Sequence, residues 1–227
     1  MTKYTWSYSS LDLFNQCPHK YYRLKVAKDI VEPESEAMRY GKDLHLAAEE
    51  YIRDGKEVPP QFAFILPYLE KFKAIPGEKH CEYKMAVKLT SDNRLVPCDF
   101  FDKDYYYRGI ADLLILDREK EEARIIDYKT GKSAQYADTK QLKLMAGATF
   151  TIFPEIKVIK AGLLFVVSKE FIKEEYDTHF RLAYFEQFRP IVQSLDMAHK
   201  SGVWNPKRNF SCKGWCPVLE CAHNGKK

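Results

Sequence analysis

The sequence lacks long apolar runs, a strong charge of one sign and internal repeats. No apolar run of its 227 residues approaches the roughly 20 residues that a membrane-spanning helix requires, so we expect no membrane association. Its first residues, MTKYTWSYSS, lack the apolar segment of a secretory signal peptide, which favours a cytoplasmic protein. The net charge is only +4, from 36 basic and 32 acidic side chains, so nucleic-acid binding would require a local basic patch.

The composition is that of a folded protein. Hydrophobic residues make up 45% of the chain and aromatic residues 14%, which excludes a disordered polypeptide. The length allows a sizeable hydrophobic core, and there is no low-complexity tract or linker that would divide the chain. We therefore expect a single domain over residues 1–227.

The middle of the chain has the pattern of a β-hairpin. Ile110–Leu116 and Ala123–Tyr128 are rich in Ile and Leu and have the length of strands, and the polar segment Arg118–Glu122 lies between them. If the two strands pair symmetrically about this loop, Asp112 and Asp127 lie nearly opposite each other.

Charged residues in this hairpin indicate a metal site. Carboxylates in a buried sheet are costly unless a cation or another partner neutralises them. Asp112 and Asp127 would bind a hard divalent cation such as Mg²⁺, which activates water and stabilises the transition state of phosphodiester hydrolysis. Lys129 shares a face with Asp127, because side chains alternate along a strand, and would hold the attacking water or neutralise the scissile phosphate. The simpler alternative is a Lys129–Asp ion pair in an ordinary hairpin.

The hairpin sequence resembles that of a known nuclease family. GIAD at 109–112 and IIDYKTGK at 125–132 are similar to motifs of the PD-(D/E)XK nuclease superfamily, in its RecB-like branch. In this resemblance Asp112 matches the first acidic residue, and Asp127 and Lys129 match the (D/E)xK element. The resemblance implies an α/β fold of the restriction-endonuclease-like type, a mixed β-sheet flanked by helices, and a metal-dependent nuclease that acts on DNA.

The same resemblance extends the predicted metal site. A helix is predicted over Ser35–Asp54, and His45 follows a glycine of this helix at the spacing of the RecB-like motif in which histidine joins the metal site. The resemblance implies that His45, Asp112, Asp127 and the main-chain carbonyl of Tyr128 bind Mg²⁺ or Mn²⁺. The alternative is that His45 is a packing or surface residue.

Gln141 is a further candidate catalytic residue. It lies on a helix predicted from about Tyr136 to Phe153 and matches a RecB-like glutamine, which would position the substrate or Lys129. Those nucleases carry a tyrosine four residues later, where this chain has Met145, which cannot form the hydrogen bonds of a phenol. The alternative for Gln141 is a solvated polar residue.

Two further features leave alternatives open. Glu82 begins the predicted strand Cys81–Leu89, where the family often has an acidic residue, although a solvent-facing glutamate fits equally well. The aromatic stretches Tyr4–Tyr8, Tyr21–Tyr22 and Tyr105–Tyr107 offer rings on which unpaired bases could stack. The alternative for these rings is packing in the core or at an edge.

The last third of the chain predicts a strand and a helix. Lys157–Ser168 has a buried middle and is expected to pair beside the hairpin. Tyr176–Lys200 has apolar residues at helical spacing, which predicts one long helix with a kink at Pro190. The charged stretch Lys169–Glu175 before it is expected to be solvated.

Three of the six cysteines lie close together near the C-terminus. The compact spacing of Cys212, Cys216 and Cys221 lets several thiolates bind one metal centre. A fourth ligand is needed, for which Cys17 is the natural candidate, so the centre would join the N- and C-terminal segments. The other two cysteines are expected to be ordinary buried thiols.

These cysteines strengthen the family resemblance. SSLDLFNQCPHKYY at 9–22 is similar to the N-terminal motif of RecB-like nucleases, including the CRISPR adaptation nucleases, in which one N-terminal and three C-terminal cysteines hold a [4Fe–4S] cluster. The resemblance implies an iron–sulfur subregion formed by residues 1–30 and 204–223. This chain has C-x3-C-x4-C where those nucleases usually have C-x2-C-x5-C, so structural Zn²⁺ stays an alternative, with His223 or His19 as substitute ligands.

The resemblance as a whole predicts a metal-dependent DNA exonuclease that prefers single-stranded DNA or DNA ends. Such a protein fits phage recombination, repair or CRISPR-adaptation-like processing, with recombination or adaptation proteins as candidate partners. One alternative is a catalytically degenerate DNA-binding or scaffold module, although its site would be expected to have lost a carboxylate. The other is an RNA-directed nuclease, which the sequence does not exclude.

Overall fold

The protein is described by a computed structural model over residues 5–135 and 137–226. The chain forms two compact units. The sheet unit consists of Ser35–Glu186, and the terminal unit consists of Met1–Glu34 together with Gln187–Lys227. Within the described ranges, no helix combines the length and the hydrophobicity that crossing a membrane demands.

The sheet unit is built on a six-stranded mixed sheet with the strand order β2-β1-β3-β4-β5-β6. The strands are β1 (Glu78–Leu89), β2 (Leu95–Pro97), β3 (Tyr107–Asp117), β4 (Glu122–Lys129), β5 (Val158–Phe165) and β6 (Glu170–Asp177). Strands β4 and β5 are parallel, and the other neighbouring strands are antiparallel. The expected α/β fold with a mixed sheet and flanking helices is confirmed.

Seven α-helices accompany the sheet in the part of the chain that is described. They are α1 (Tyr8–Gln16), α2 (Pro18–Tyr21), α3 (Glu36–Asp54), α4 (Leu66–Ala74), α5 (Lys140–Ile152), α6 (Ala183–Glu186) and α7 (Arg189–Ser201). Helix α3 begins after Ser35, whose hydroxyl accepts the Met38 N–H, and ends at Gly55 in a left-handed conformation (φ 69°). Helix α5 connects the parallel strands β4 and β5. Its predicted first residue, Tyr136, lies outside the described residues.

One hydrophobic core joins α3 and α4 to the sheet. Helix α3 contributes the stripe predicted from its helical spacing, namely Leu44, Ala47, Ala48 and Ile52. Strands β3, β4 and β5 contribute Leu113, Ile115, Ile126, Tyr128 and Leu164. Burial of such side chains contributes about 1.5–3 kcal/mol each, so it fixes the position of α3 on the sheet. His45 follows a core residue of α3 directly and is therefore held next to the sheet.

The β3–β4 hairpin pairs symmetrically, as the sequence predicts. Its ladder pairs Asp117 with Glu122 at the loop and ends with Leu113 opposite Ile126. Asp112 and Asp127 are the next residues on their strands, so the register brings both carboxylates to the same end of the hairpin. Leu113 and Ile126 lie in the core that α3 covers, and the site therefore begins where this core ends.

The predicted long helix over Tyr176–Lys200 is wrong. Glu170–Asp177 forms the strand β6, and the helical residues that follow are divided between α6 and α7. Because β6 is the last strand of the sheet, its charged residues can remain exposed while Tyr176 is buried. Pro190 lies in the first turn of α7, where its missing N–H costs nothing, so it marks the start of a helix and not a kink.

The terminal unit contains α1, α2 and α7, and Cys17 separates the first two helices. Ser7 caps α1 in a reciprocal capping box with Ser10. Cys17 has an extended backbone, and Pro18 follows it in the first turn of α2. Cys17 therefore lies at a junction between two helices.

Candidate active site

An unusual backbone conformation in β1 places Glu82 opposite Asp112. Glu82 has φ 49°, in the left-handed region that residues other than glycine rarely adopt. The β1–β3 ladder is intact on both sides, with Cys81 opposite Leu113, and the same register sets Glu82 against Asp112. Cys81 packs against the core beneath α3, and Glu82 also lies beside His45 of α3. A regular strand would place consecutive side chains on opposite faces, so the left-handed residue allows both to face α3.

Three side chains converge at this point. One ligand atom each from His45, Glu82 and Asp112 lies within 4.8 Å of the others. His45 Nδ1 is 3.4 Å from Asp112 Oδ1, and His45 Nε2 is 3.1 Å from the Tyr128 carbonyl oxygen. The Tyr128 N–H donates to Asp112 Oδ2 at 2.6 Å, which fixes the Asp112 carboxylate. The structure therefore brings His45, Asp112 and the Tyr128 carbonyl together and adds Glu82 to them.

The pKa values of His45 and Glu82 are both raised, partly because several carboxylates lie close together. Burial alone would lower the pKa of His45, but its hydrogen bond to Asp112 and the charges of the nearby carboxylates raise that pKa overall. Burial raises the pKa of Glu82, and the negative charge of Asp112 raises it further. A divalent cation would relieve this repulsion between carboxylates.

Asp127, Lys129 and Gln141 form a second set of contacts. Lys129 Nζ lies 2.6 Å from Asp127 Oδ2 and 3.4 Å from Gln141 Oε1. Gln141 Nε2 donates to Asp127 Oδ1 at 3.2 Å. Burial raises the pKa of Asp127 to about 6, Asp112 adds to this effect and Lys129 opposes it. The ion pair that is the simpler alternative for Lys129 is thus present, but it lies within a larger polar group that Gln141 completes from α5.

The ligand atoms of His45, Glu82 and Asp112 suit a hard divalent cation. Glu82 and Asp112 offer carboxylate oxygens and His45 offers an imidazole nitrogen, a combination that suits Mg²⁺ and Mn²⁺. Asp127 is not part of this group of three. Glu82 and His45 also line an open groove of about 650 Å³, together with Lys42 and Thr130, so a bound cation would be accessible from solvent.

Removing the Glu82 charge is expected to weaken metal binding at least about 10-fold, the lower end of the 10- to 100-fold losses measured for residues that support a metal site. The change is Glu82→Gln, which keeps the size of the side chain, and the measurement is isothermal titration calorimetry with Mn²⁺. Glu78→Gln on the same strand is the matched control, because Glu78 is exposed and lies outside the group. Equal Mn²⁺ affinity of Glu82→Gln and the unaltered protein would remove Glu82 from the site.

The terminal unit brings four cysteines around one small cavity. The side chains that line it include Cys17, Cys212, Cys216 and Cys221, together with His19 and His223. Cys17 Sγ accepts the N–H of Lys20 at 3.5 Å and that of Lys207 at 3.4 Å. Hydrogen bonds to cysteine sulfurs are one of the features that tune metal centres held by cysteine.

Comparisons with known proteins agree with this geometry. Residues 5–221 match the family model of the PD-(D/E)XK nuclease superfamily. The crystal structure of SSO0001 is similar at a TM-score of 0.52 and 15% identity, covering 97% of this chain and 87% of that chain. A "putative exonuclease" from Eubacterium rectale is similar at a TM-score of 0.52 and 13% identity, with the same coverage of 97% and 87%.

At these identities the two structures show a shared fold only. No curated protein matches the chain in sequence. The family match, however, covers nearly the whole sequence and includes the hairpin with Asp112 and Asp127. The chain therefore belongs to the PD-(D/E)XK nuclease superfamily.

Proposed function

We propose that this nuclease is a divalent-metal-dependent DNA exonuclease. The observation that carries the proposal is the convergence of His45, Glu82 and Asp112 within 4.8 Å beside an open groove. The RecB-like motifs of the sequence favour DNA, and the name of the structure from Eubacterium rectale also describes an exonuclease. A degenerate binding module is disfavoured because the acidic residues and Lys129 are all present.

The proposed metal ligands are His45, Glu82 and Asp112, with Asp127 and the Tyr128 carbonyl at the edge of the set. A bound Mg²⁺ or Mn²⁺ supplies positive charge to the scissile phosphate and lowers the pKa of water. The protein contributes the orientation of the ligands, because the Tyr128 N–H holds Asp112 and the Tyr128 carbonyl lies against His45. This arrangement limits the freedom of both side chains before the substrate binds.

Lys129 is proposed to assist the attacking water or to neutralise the scissile phosphate. Its side chain is 34% exposed and so is accessible to a substrate, whereas that of Asp127 is 5% exposed. Gln141 contacts both Lys129 Nζ and Asp127 and would hold the ammonium group in position. Lys129 and Gln141 thus have the roles of a catalytic residue and a positioning residue.

Cleavage is expected to require a divalent metal and a free DNA end. In a time course with Mn²⁺ or Mg²⁺, linear single-stranded DNA should be degraded from a terminus, while the same strand closed into a circle should resist. Chelation by EDTA should abolish the reaction, because the acidic group cannot replace the charge of the cation. Labels at both ends and a blunt duplex of the same sequence complete the assay.

Other outcomes of this time course would each contradict one part of the proposal. Equal cutting of circular and linear strands would identify an endonuclease, and cleavage in EDTA would rule out the metal-dependent mechanism. Faster degradation of the blunt duplex would contradict the preference for single strands. Cleavage of RNA alone would favour the RNA-directed alternative.

The second proposed centre is a [4Fe–4S] cluster held by Cys17, Cys212, Cys216 and Cys221. Its support is the shared cavity, the hydrogen bonds to the Cys17 sulfur and the resemblance of the cysteine arrangement to RecB-like nucleases. Both parts of the predicted iron–sulfur subregion, 1–30 and 204–223, belong to the terminal unit. Structural Zn²⁺ is the alternative. By resemblance, the process would be phage recombination, repair or CRISPR-adaptation-like processing.

A further inference from the structure

A cluster of aromatic rings and cations lies at the end of the sheet unit where β2 leads into β3. We call it the aromatic–cation patch, and it consists of Lys84, Phe100, Phe101, Tyr105 and Arg108. The Arg108 guanidinium carbon lies 4.6 Å from the Tyr105 ring centre and 5.0 Å from that of Phe100. Lys84 Nζ lies 5.3 Å from the Phe101 ring centre and 5.9 Å from that of Phe100. These are cation–π distances, so the rings and cations form one surface.

Phe101 is held towards solvent by a structured turn, whereas Phe100 and Tyr105 are half-buried. Phe101 is 71% exposed, although it is a large apolar side chain. The Phe101 N–H donates to Asp99 Oδ1 at 2.7 Å, and the Asp99 N–H donates to Asp102 Oδ2 at 3.2 Å. The two aspartates are therefore engaged with the backbone of the turn, which presents Phe101 on the surface. The exposed Phe101 ring is therefore accessible to a ligand, with the Lys84 ammonium 5.3 Å from its centre.

Two residues of the patch, Lys84 on β1 and Arg108 on β3, lie on the strands that carry the acidic residues of the proposed active site. Arg108 and Asp112 are four residues apart on β3, so their side chains share a face at a distance of about 13 Å along the strand. Lys84 pairs directly with Ile110, the residue between them on that face. The patch therefore begins about 7 Å from the acidic residues, at the spacing of two residues along a strand. A flexible chain that contacts the patch would continue towards Asp112.

Several rings of the other aromatic stretches are buried. Trp6 and Tyr107 are each 1% exposed and Tyr21 is 7% exposed. The Tyr21 ring stacks on Trp204 within the terminal unit. Tyr4 lies outside the described residues. Burial thus removes these rings as stacking partners, whereas Tyr105 belongs to the patch.

We propose that the aromatic–cation patch binds unpaired bases of single-stranded DNA and directs the strand into the active site. This inference rests on the proposed function and adds to it the surface that selects the substrate. Stacking requires a base that has left its duplex, which would give preference to single strands and frayed ends. Lys84 and Arg108 add charges that attract the phosphates between stacked bases.

The test compares binding of two probes that differ only in their bases. Fluorescence anisotropy is measured in EDTA with labelled oligothymidylate and with an abasic oligonucleotide of the same length. Phe101→Ala is expected to weaken oligothymidylate binding by about 5- to 100-fold, the effect of losing one stacked base, and to leave abasic binding unchanged. Phe101→Tyr should retain the affinity, because it keeps an aromatic face.

Phe180→Ala is the matched control, since Phe180 is 61% exposed in the same unit and lies outside the patch. It should bind both probes as the unaltered protein does. Unchanged oligothymidylate binding in Phe101→Ala, or equal loss with both probes, would overturn the proposal. A separate cleavage assay with Mn²⁺ distinguishes failure of the patch proposal from failure of the proposed exonuclease function. Base-dependent binding without cleavage would leave the patch standing and remove the proposed exonuclease.

Discussion

Replacement of Asp127 by asparagine is expected to reduce DNA cleavage at least about 100-fold, the scale of losing a positioned catalytic group. Asparagine keeps the shape of the side chain and an oxygen that can accept the Gln141 amide hydrogen bond. It removes the negative charge that holds Lys129 at 2.6 Å. The measurement is the initial rate on linear single-stranded DNA with saturating Mn²⁺.

The companion variant Lys129→Ala tests the other half of this contact. It should lose at least about 100-fold as well, because no other described cation contacts both Asp127 and Gln141. Lys132→Ala is its matched control, since Lys132 is an exposed lysine three residues further along. Asp92→Ala serves the same purpose for Asp127, because Asp92 lies in an exposed turn. Both controls should cleave at the unaltered rate.

One result would contradict the proposed role of Asp127 in cleavage. Full activity in Asp127→Asn would show that the Asp127 charge has no catalytic role. Thermal unfolding of each variant separates a catalytic defect from misfolding, since Asp127 is only 3% exposed. A variant that unfolds at the normal temperature and does not cleave supports the mechanism. A variant that cleaves normally would show that Lys129 and Asp127 form an ordinary ion pair without a catalytic role.

Replacement of Cys17 by serine is expected to remove the metal centre of the terminal unit and to lower the unfolding temperature. Anaerobically purified unaltered protein should be brown and absorb at roughly 400 nm, as thiolate-ligated iron–sulfur clusters do. Metal binding contributes directly to folding, on the order of 10 kcal/mol for structural metals. Loss of one of four ligands should therefore lower the unfolding midpoint by about 10 °C, corresponding to roughly 3 kcal/mol in a chain of this size.

Absorbance, iron and zinc content and calorimetry check this prediction together. Cys98→Ser is the matched control, because Cys98 lies in the sheet unit and not among the cavity cysteines. It should keep the colour, the iron and the unfolding midpoint. Colourless protein with stoichiometric zinc would replace the cluster by a zinc site. Absence of iron and zinc from the unaltered protein, together with an unchanged unfolding midpoint in Cys17→Ser, would rule out both the cluster and the zinc site.

The hairpin and its acidic residues were predictable because their signals are local. Apolar runs of strand length on both sides of a charged loop define β3 and β4, and the observed pairing is the symmetric one under which Asp112 and Asp127 come near each other. The stripe of α3 follows from helical spacing in the same way. In each case neighbouring residues carry the information.

Glu82 and β6 could not be predicted with the same certainty because their signals are not local. The place of Glu82 depends on a left-handed φ and on pairing with β3, and nothing in the residues around it indicates either. Strand β6 is charged because it is at the sheet edge, a position that only the assembled sheet reveals. The burial of Tyr107 beside the exposed Phe101 likewise depends on tertiary packing.

The terminal unit has a consequence for the order of events during synthesis. Its two segments are separated in the sequence by the whole sheet unit, Ser35–Glu186. The sheet unit is continuous and can fold as soon as it leaves the ribosome, since domains generally fold as units from the N-terminus. Cys17 is made early, but the Lys207 amide that hydrogen-bonds to its sulfur is made 190 residues later. The cavity lined by the four cysteines is therefore complete only after Cys221 has been made.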